Sequence, residues 1–146
     1  MSESLLDQSI AAERLALAAL WLNGEAGHDA ACDVGLTGRD WCCSEHSFLF
    51  CYILKSVELT RKLDLFEASR LAAECGLNIS VDDLADVVLS HHRKDKLADY
   101  LRAVAFLARE REQDECRAVA RDALRDNWVA EYTEWRRRRV RNTENI

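Results

Sequence analysis

The chain has 146 residues, of which 49% are apolar and 32% charged, and its formal net charge is −6. This balance excludes an intrinsically disordered chain, and the length predicts one domain that buries roughly 70% of its unfolded surface. The longest apolar run, Leu15 to Leu22, is shorter than the roughly 20 residues that cross a bilayer. The N-terminus also lacks the cationic stretch of a secretory signal. We therefore expect a cytoplasmic protein that does not enter a membrane.

The cysteines and the charge distribution narrow the function classes further. Without a secretion signal, the six cysteines are interpreted as reduced thiols and not as a disulfide framework. The acidic net charge gives no general support for nucleic-acid binding. Residues 1–60 hold nine acidic and three basic residues, whereas residues 61–146 hold seventeen of each. The acidic N-terminal part should repel DNA and attract a basic partner.

Glycine and proline usage favours an all-α fold. The chain has no proline, and its five glycines lie at the edges of apolar segments. We predict a first helix that is capped by Ser9 and ended by Gly24. A short helix from Glu25 to Val34 follows and ends at Gly35.

Three further helices are predicted before the last third of the chain. The loop from Leu36 to Trp41 precedes a helix capped by Ser44. This helix has apolar residues on nearly every side, which predicts that it is the most buried one. Asp64 and Ser80 cap the next two helices.

Residues 95–141 are predicted to be helical almost without interruption, and they carry two apolar stripes. Two antiparallel helices with a turn near Arg109 to Glu115 would bury both stripes better than a single rod would. We therefore predict a single all-α domain. It consists of a globular helical bundle, the head (residues 8–94), then a C-terminal helical hairpin (95–141) and a short tail (142–146).

The order and spacing of several motifs resemble the N-terminal domain of DnaB-type replicative helicases. Asp40 and Trp41 are followed, five residues after the tryptophan, by His46 and a dense apolar helix. Upstream, Glu13 precedes an aliphatic run that ends at Asn23. The other matched positions are Leu36, Leu49, Phe50, Ile53, Asp64, Leu71, Gly76, Tyr100 and Val104. The resemblance covers residues 10–111.

The resemblance implies assembly and partner docking, since that domain of the family is not the motor. The phosphate-binding loop GxxxxGK[ST] of the family's ATPase domain does not occur in this sequence. We therefore expect a stand-alone, non-enzymatic, cofactor-free module of DNA replication. It should form a homo-oligomer, a dimer or higher, and bind a replicative helicase or primase as a loader, adaptor or inhibitor. The expected interface residues are Leu97, Leu101, Val104, Trp128, Tyr132 and Trp135.

One alternative is a small Cys/His metal or redox protein. The candidate ligands are His28, Cys32, Cys42 and His46, because each pair is four residues apart and can present two ligands on one helical face. The usual Cys-x-x-Cys knuckle is missing, so we expect no metal. A helix dipole at Cys42 and Cys43 could lower their thiol pKa values. Cysteines of the core or a loop are the simpler interpretation.

A second alternative is a helical nucleic-acid-binding protein. The one strong basic run consists of Arg136, Arg137, Arg138, Arg139 and Arg141. Phosphates bind arginine, and the neighbouring Tyr132 and Trp135 could stack on bases. The structural interpretation is a set of cations near a helix C-terminus, with the tryptophan buried. Because the rest of the chain is acidic, we expect nucleic-acid contact to be weak.

Overall fold

The computed structural model describes residues 4–90 and 93–144. Within these ranges, the side chains that are not described are Lys94, Arg121, Arg125, Trp128, Val140 and residues 142–144. The described ranges contain five α-helices and no strand, which confirms the all-α prediction. The helices are α1 (Leu5–Val34), α2 (Ser44–Glu58), α3 (Leu65–Glu74), α4 (Val81–Val88) and α5 (Leu97–Glu144), with short 3-10 turns at Gly38–Asp40 and Lys94–Lys96. None of the helices found in these ranges carries an apolar stretch long enough to cross a membrane.

α1 begins five residues earlier than predicted. Ser4 is its N-cap, and the Ser4 hydroxyl accepts a hydrogen bond from the Asp7 backbone N–H at 3.0 Å. Ser9, the predicted cap, lies inside the helix, fully buried, and donates its hydroxyl proton to the Leu5 carbonyl at 2.8 Å. The prediction of Ser9 was wrong because the helix extends beyond the first regular apolar position, Ile10, toward the N-terminus.

Gly24 interrupts α1 where the sequence predicts a break. Its backbone angles are φ 49° and ψ −116°, a conformation that glycine adopts far more easily than other residues. After the break the chain returns close to the first part of the helix, since a Cβ added to the buried Gly27 would lie 3.1 Å from the Leu20 side chain. The predicted end is also confirmed: Gly35 is left-handed, with φ 80°, and its N–H donates to the Ala31 carbonyl.

α1, and not α2, supplies the most deeply buried segment of the core. The five consecutive residues Ala16–Leu20 are completely inaccessible to solvent. α1 contacts both α2 and α4, and α3 contacts α2 and α4, so this part of α1 is covered from more than one side. The buried residues of α2 are His46, Leu49, Phe50, Tyr52, Ile53 and Ser56. Six of the 15 residues of α2 are buried, against nine of the 30 residues of α1, so α2 has the larger buried fraction, as expected.

Local capping explains where the shorter helices begin. The Asp64 carboxylate and the Ser80 hydroxyl accept hydrogen bonds from N–H groups of the first turns of α3 and α4, at 2.8 and 3.1 Å. Both of these predictions are confirmed. α2 differs, because Cys43 occupies its N-cap position without a side-chain capping bond and Ser44 is already helical.

α5 replaces the predicted hairpin. It is a single helix of 48 residues, so the predicted turn near Arg109 to Glu115 was wrong. The segment lacks glycine and proline and is rich in Arg, Glu and Ala, residues that propagate a helix. Contacts along the chain define two compact units, the head unit (Met1–Arg111) and the C-terminal unit (Glu112–Ile146). The first turns of α5 thus belong to the head unit.

Replacing Gly24 by alanine should destabilise the protein by about 1–2 kcal/mol, because a side chain is strained at this positive φ. Glu25→Ala is the matched control, since Glu25 is the exposed next residue and a helical alanine there should be tolerated. Urea unfolding followed by circular dichroism measures both. Equal midpoints for the two variants would contradict the strained backbone at Gly24.

Candidate functional site

The carboxylate of Glu13 is the most deeply buried charged group among the described residues. Its side chain is 1% exposed, in the middle of α1. Both carboxylate oxygens lie 3.0 Å from the backbone N–H of Cys42, which donates to them. His46 Nδ1 lies 2.8 Å from Glu13 Oε1. Since an ionised carboxylate only accepts hydrogen bonds, Nδ1 of His46 carries the proton and donates it.

Arg111 supplies the positive charge that faces this carboxylate. Arg111 Nη1 lies 3.6 Å from Glu13 Oε2 and donates to the Ser9 hydroxyl at 2.6 Å. Arg111 Nη2 donates to the carbonyl of Asp40 at 2.7 Å. Ser9, Glu13, the loop of Asp40 to Cys42, His46 and Arg111 are called the Glu13 network below. It connects α1, the loop before α2, α2 itself and the first part of α5.

The loop that reaches Glu13 is shaped by its own capping bonds. The Thr37 hydroxyl accepts from the Arg39 N–H at 3.3 Å, and the Asp40 carboxylate accepts from the Thr37 N–H at 2.7 Å. Ser47 of α2 donates its hydroxyl proton to the Gly38 carbonyl at 2.7 Å. These bonds hold the Gly38–Asp40 turn against α2, which places the Asp40 carbonyl and the Cys42 N–H in the Glu13 network.

The structure brings together only two of the four predicted metal ligands. Cys42 and His46 join Glu13 and Cys43 in a group whose candidate ligand atoms all lie within 4.8 Å of one another. His28 and Cys32 lie elsewhere on α1, where the Cys32 thiol is 3.8 Å from His28 Nδ1. His28 Nε2 is 2.9 Å from the Glu58 carboxylate, and this hydrogen bond raises the pKa of His28.

The group of Glu13, Cys42, Cys43 and His46 has donor types that suit Zn²⁺. Its hydrogen bonding, however, already uses the carboxylate: Glu13 accepts from the Cys42 N–H and from His46, and Arg111 faces its second oxygen. A metal bound to Glu13 would have to displace these interactions. We therefore interpret the group as a structural polar network that holds the loop onto α1.

The thiols of Cys42 and Cys43 are held in the protonated form. Burial, followed by the neighbouring Glu13 carboxylate, raises the pKa of Cys42 to about 12. Burial likewise raises the pKa of Cys43. The hypothesis that the helix dipole lowers these pKa values is therefore not supported, because burial is the larger effect. A protonated thiol is a poor nucleophile, which disfavours a redox role at this position.

Glu13 and Arg111 were not predicted as residues of the site. The signal for Glu13 was present, since it lies three residues before Ala16 and four before Leu17, on a mostly apolar helical face. A charged residue inside such a face indicates a buried polar contact. Arg111 gave no comparable signal, because it is one of several arginines in a charged stretch of α5.

The expected interface residues separate into two groups. Leu101 and Val104 are buried in the core of the head unit, with Leu97 packed against it, so their apolar surface contacts the chain itself. Tyr132 and Trp135 of the C-terminal unit are 47% and 51% exposed. The Trp128 side chain lies outside the described residues.

The aromatic pair of the C-terminal unit lies among the arginines of the basic run. The rings of Tyr132 and Trp135 stack with centroids 5.9 Å apart, and the Arg139 guanidinium lies 5.0 Å from the centroid of the Trp135 ring. Arg138 Nε is 3.6 Å from the Glu134 carboxylate. Arg136 to Arg139 and Arg141 are all exposed.

Comparison with known proteins identified no matching family model, curated protein or solved structure. Inferences about function therefore depend on the motifs of the sequence and on the geometry described above.

Replacing Arg111 by methionine should lower the free energy of unfolding by about 2–4 kcal/mol, because the buried Glu13 carboxylate loses its counter-charge. Arg109→Met is the matched control: Arg109 is exposed on the same helix, and its loss should cost less than about 0.5 kcal/mol. Chemical denaturation measures both variants.

The double variant Glu13→Gln with Arg111→Met tests whether the two residues interact. It should be less destabilised than the sum of the two single variants, because each single change leaves the other partner unmatched. Equal stabilities of Arg111→Met and Arg109→Met would contradict the role of Arg111 in the Glu13 network.

Alkylation by iodoacetamide at about pH 8 should modify Cys42 last. A thiol with a pKa of about 12 is ionised in roughly one molecule in ten thousand at that pH, and Cys42 is also partly buried. The exposed Cys75 and Cys116 are the internal controls and should react first. Peptide mass spectrometry over a time course gives the order. Modification of Cys42 as fast as Cys116 would favour the redox alternative.

Proposed function

We propose that this protein is a non-enzymatic interaction module of DNA replication that associates with itself and binds a replicative helicase or primase. The motif order supports this proposal, since Glu13, Asp40, Trp41 and His46 occur in an arrangement that resembles the N-terminal domain of DnaB-type helicases. Their segments also meet in the Glu13 network, in which Glu13 contacts His46 and the Asp40 carbonyl contacts Arg111.

Two of the matched aromatic residues, Trp41 and Phe50, pack against each other in the head unit. The Trp41 and Phe50 rings lie 4.8 Å apart between centroids, and both side chains are buried. Residues that match in separate segments of the sequence are thus in contact in the fold. These contacts support a shared structural role for the matched motifs. Such a role is expected if this chain has the fold of the helicase N-terminal domain that it resembles.

The observation that carries the proposal is the exposed apolar face of the C-terminal unit. Leu124 is 69% exposed, and Tyr132 and Trp135 are about half exposed. These residues follow one another at intervals of eight and three, so they lie within about 80° of each other around the helix. Large apolar side chains grouped on one face are typical of protein interfaces. A second copy presents the same face, which permits a symmetric pair.

The head unit offers a second surface, suited to a different partner. A groove of about 400 Å³ lies between α2 and α3 and is lined by apolar residues that include Phe48, Leu59 and Leu71. The charged residues of its lining are Lys55, Arg61, Glu67 and Glu74. An amphipathic helix can bind such a groove through its apolar face. We assign the helicase or primase to this surface and the second copy to the C-terminal unit.

Light scattering of the purified protein should give twice the chain mass of 16.7 kDa, or a higher multiple. Leu124→Glu should weaken self-association at least about tenfold, or about 1.4 kcal/mol, because a carboxylate would be buried in the pair. Val119→Glu is the matched control: Val119 is also 69% exposed but lies about 140° around the helix from Leu124. A wild-type monomer, or equal effects of the two variants, would contradict the assigned face.

The same measurement, repeated with a replicative helicase and then with a primase, tests the partner. We expect a complex whose mass exceeds that of this protein alone and that of the added helicase or primase alone. Leu71→Glu in the groove should abolish it, while Leu124→Glu should leave it unchanged. If neither protein forms a complex with the chain, the replication role is wrong, whatever the outcome of the self-association experiment.

A further inference from the structure

An open depression on the C-terminal unit collects several guanidinium groups. It has a volume of about 510 Å³ and is lined by Tyr132, Thr133, Arg136, Arg137 and Arg141. Arg138 is paired with Glu134, whereas among the described side chains no carboxylate forms an ion pair with Arg136, Arg137 or Arg141. Three positive charges around one depression make a site of strongly positive potential on a chain that is otherwise acidic.

An aromatic surface lies beside this positive site. Tyr132 lines the depression and stacks on Trp135 with an interplanar angle of 24°. The Arg139 guanidinium lies over the Trp135 ring, 5.0 Å from its centroid. Both rings keep about half of their surface exposed, so a planar ligand group can contact them. Guanidinium groups next to exposed aromatic rings are the combination that binds the backbone and the bases of nucleic acids.

We propose that residues 132–141 form a binding site for single-stranded nucleic acid. Arg136, Arg137 and Arg141 contact phosphates, while Tyr132 and Trp135 stack on bases. The strand must be unpaired, because the faces of bases in a duplex are covered by their neighbours and cannot reach an aromatic ring. The site does not depend on the proposed helicase or primase partner.

The size of the site predicts how tightly and how specifically it binds. Residues 132–141 span about 14 Å of helix, which corresponds to roughly four stacked nucleotides. Three phosphate contacts on a single strand predict that the logarithm of the association constant falls with the logarithm of salt concentration with a slope of about −2. Stacking is tolerant of base identity, so little sequence preference is expected.

Fluorescence anisotropy with a labelled oligothymidylate tests the site in the full-length protein. The triple variant Arg136→Gln, Arg137→Gln, Arg141→Gln should reduce binding by at least about a hundredfold, consistent with the loss of all three phosphate contacts. The charge-matched control is Arg70→Gln, Arg102→Gln, Arg117→Gln, three exposed arginines that each pair with a nearby carboxylate. This control should bind as the wild type does.

Two further measurements separate this site from general attraction to anions. Trp135→Leu should weaken binding about tenfold or more, whereas Trp135→Phe should retain most of it, because only phenylalanine preserves a stacking surface. A duplex of the same length should bind more weakly than the single strand. The inference is overturned if the oligothymidylate does not bind, or if the two triple variants lose binding equally. It is also overturned if the duplex binds as tightly as the single strand and Trp135→Leu binds as tightly as the wild type. Light scattering of each variant shows whether a loss of binding reflects altered self-association.

Discussion

The buried carboxylate of Glu13 is the interaction on which the head unit depends. A charged group inside an apolar helical face costs several kcal/mol unless other groups replace its hydration. The replacement comes from three places: the Cys42 N–H of the loop, His46 of α2, and Arg111 of α5. Because all three must face the same two oxygens, the loop, α2 and the start of α5 have little freedom to shift along α1.

The parts of the fold that were predictable are those specified by neighbouring residues. Asp64 and Ser80 cap their own helices, and Gly24 breaks α1 through its own backbone angles. The Glu13 network was not predictable in this way, because Ser9 and Arg111 are 102 positions apart. The hairpin prediction failed for the opposite reason. It relied on burying apolar stripes, whereas the local helix propensity of a stretch without glycine or proline prevailed.

The two surfaces inferred for the C-terminal unit share Tyr132 and Trp135. A second copy that covers this aromatic pair would compete with bases for the same rings. Self-association and strand binding would then be linked, and each would weaken the other by the same factor. In such a system the local concentration of single strands would set the fraction of the protein that is paired.

The separation between Ser9 and Arg111 also has a consequence for biosynthesis. At about 5–20 residues per second, α1 is made roughly 5 to 20 s before the arginine that neutralises Glu13 is added. During that interval the apolar run Ala16–Leu20 and the Glu13 carboxylate, which still lacks its counter-charge, lie on the same nascent helix. The Glu13 network is completed by Arg111, the last residue of the head unit, so we expect the emerging chain to bind chaperones until almost the entire unit has been translated.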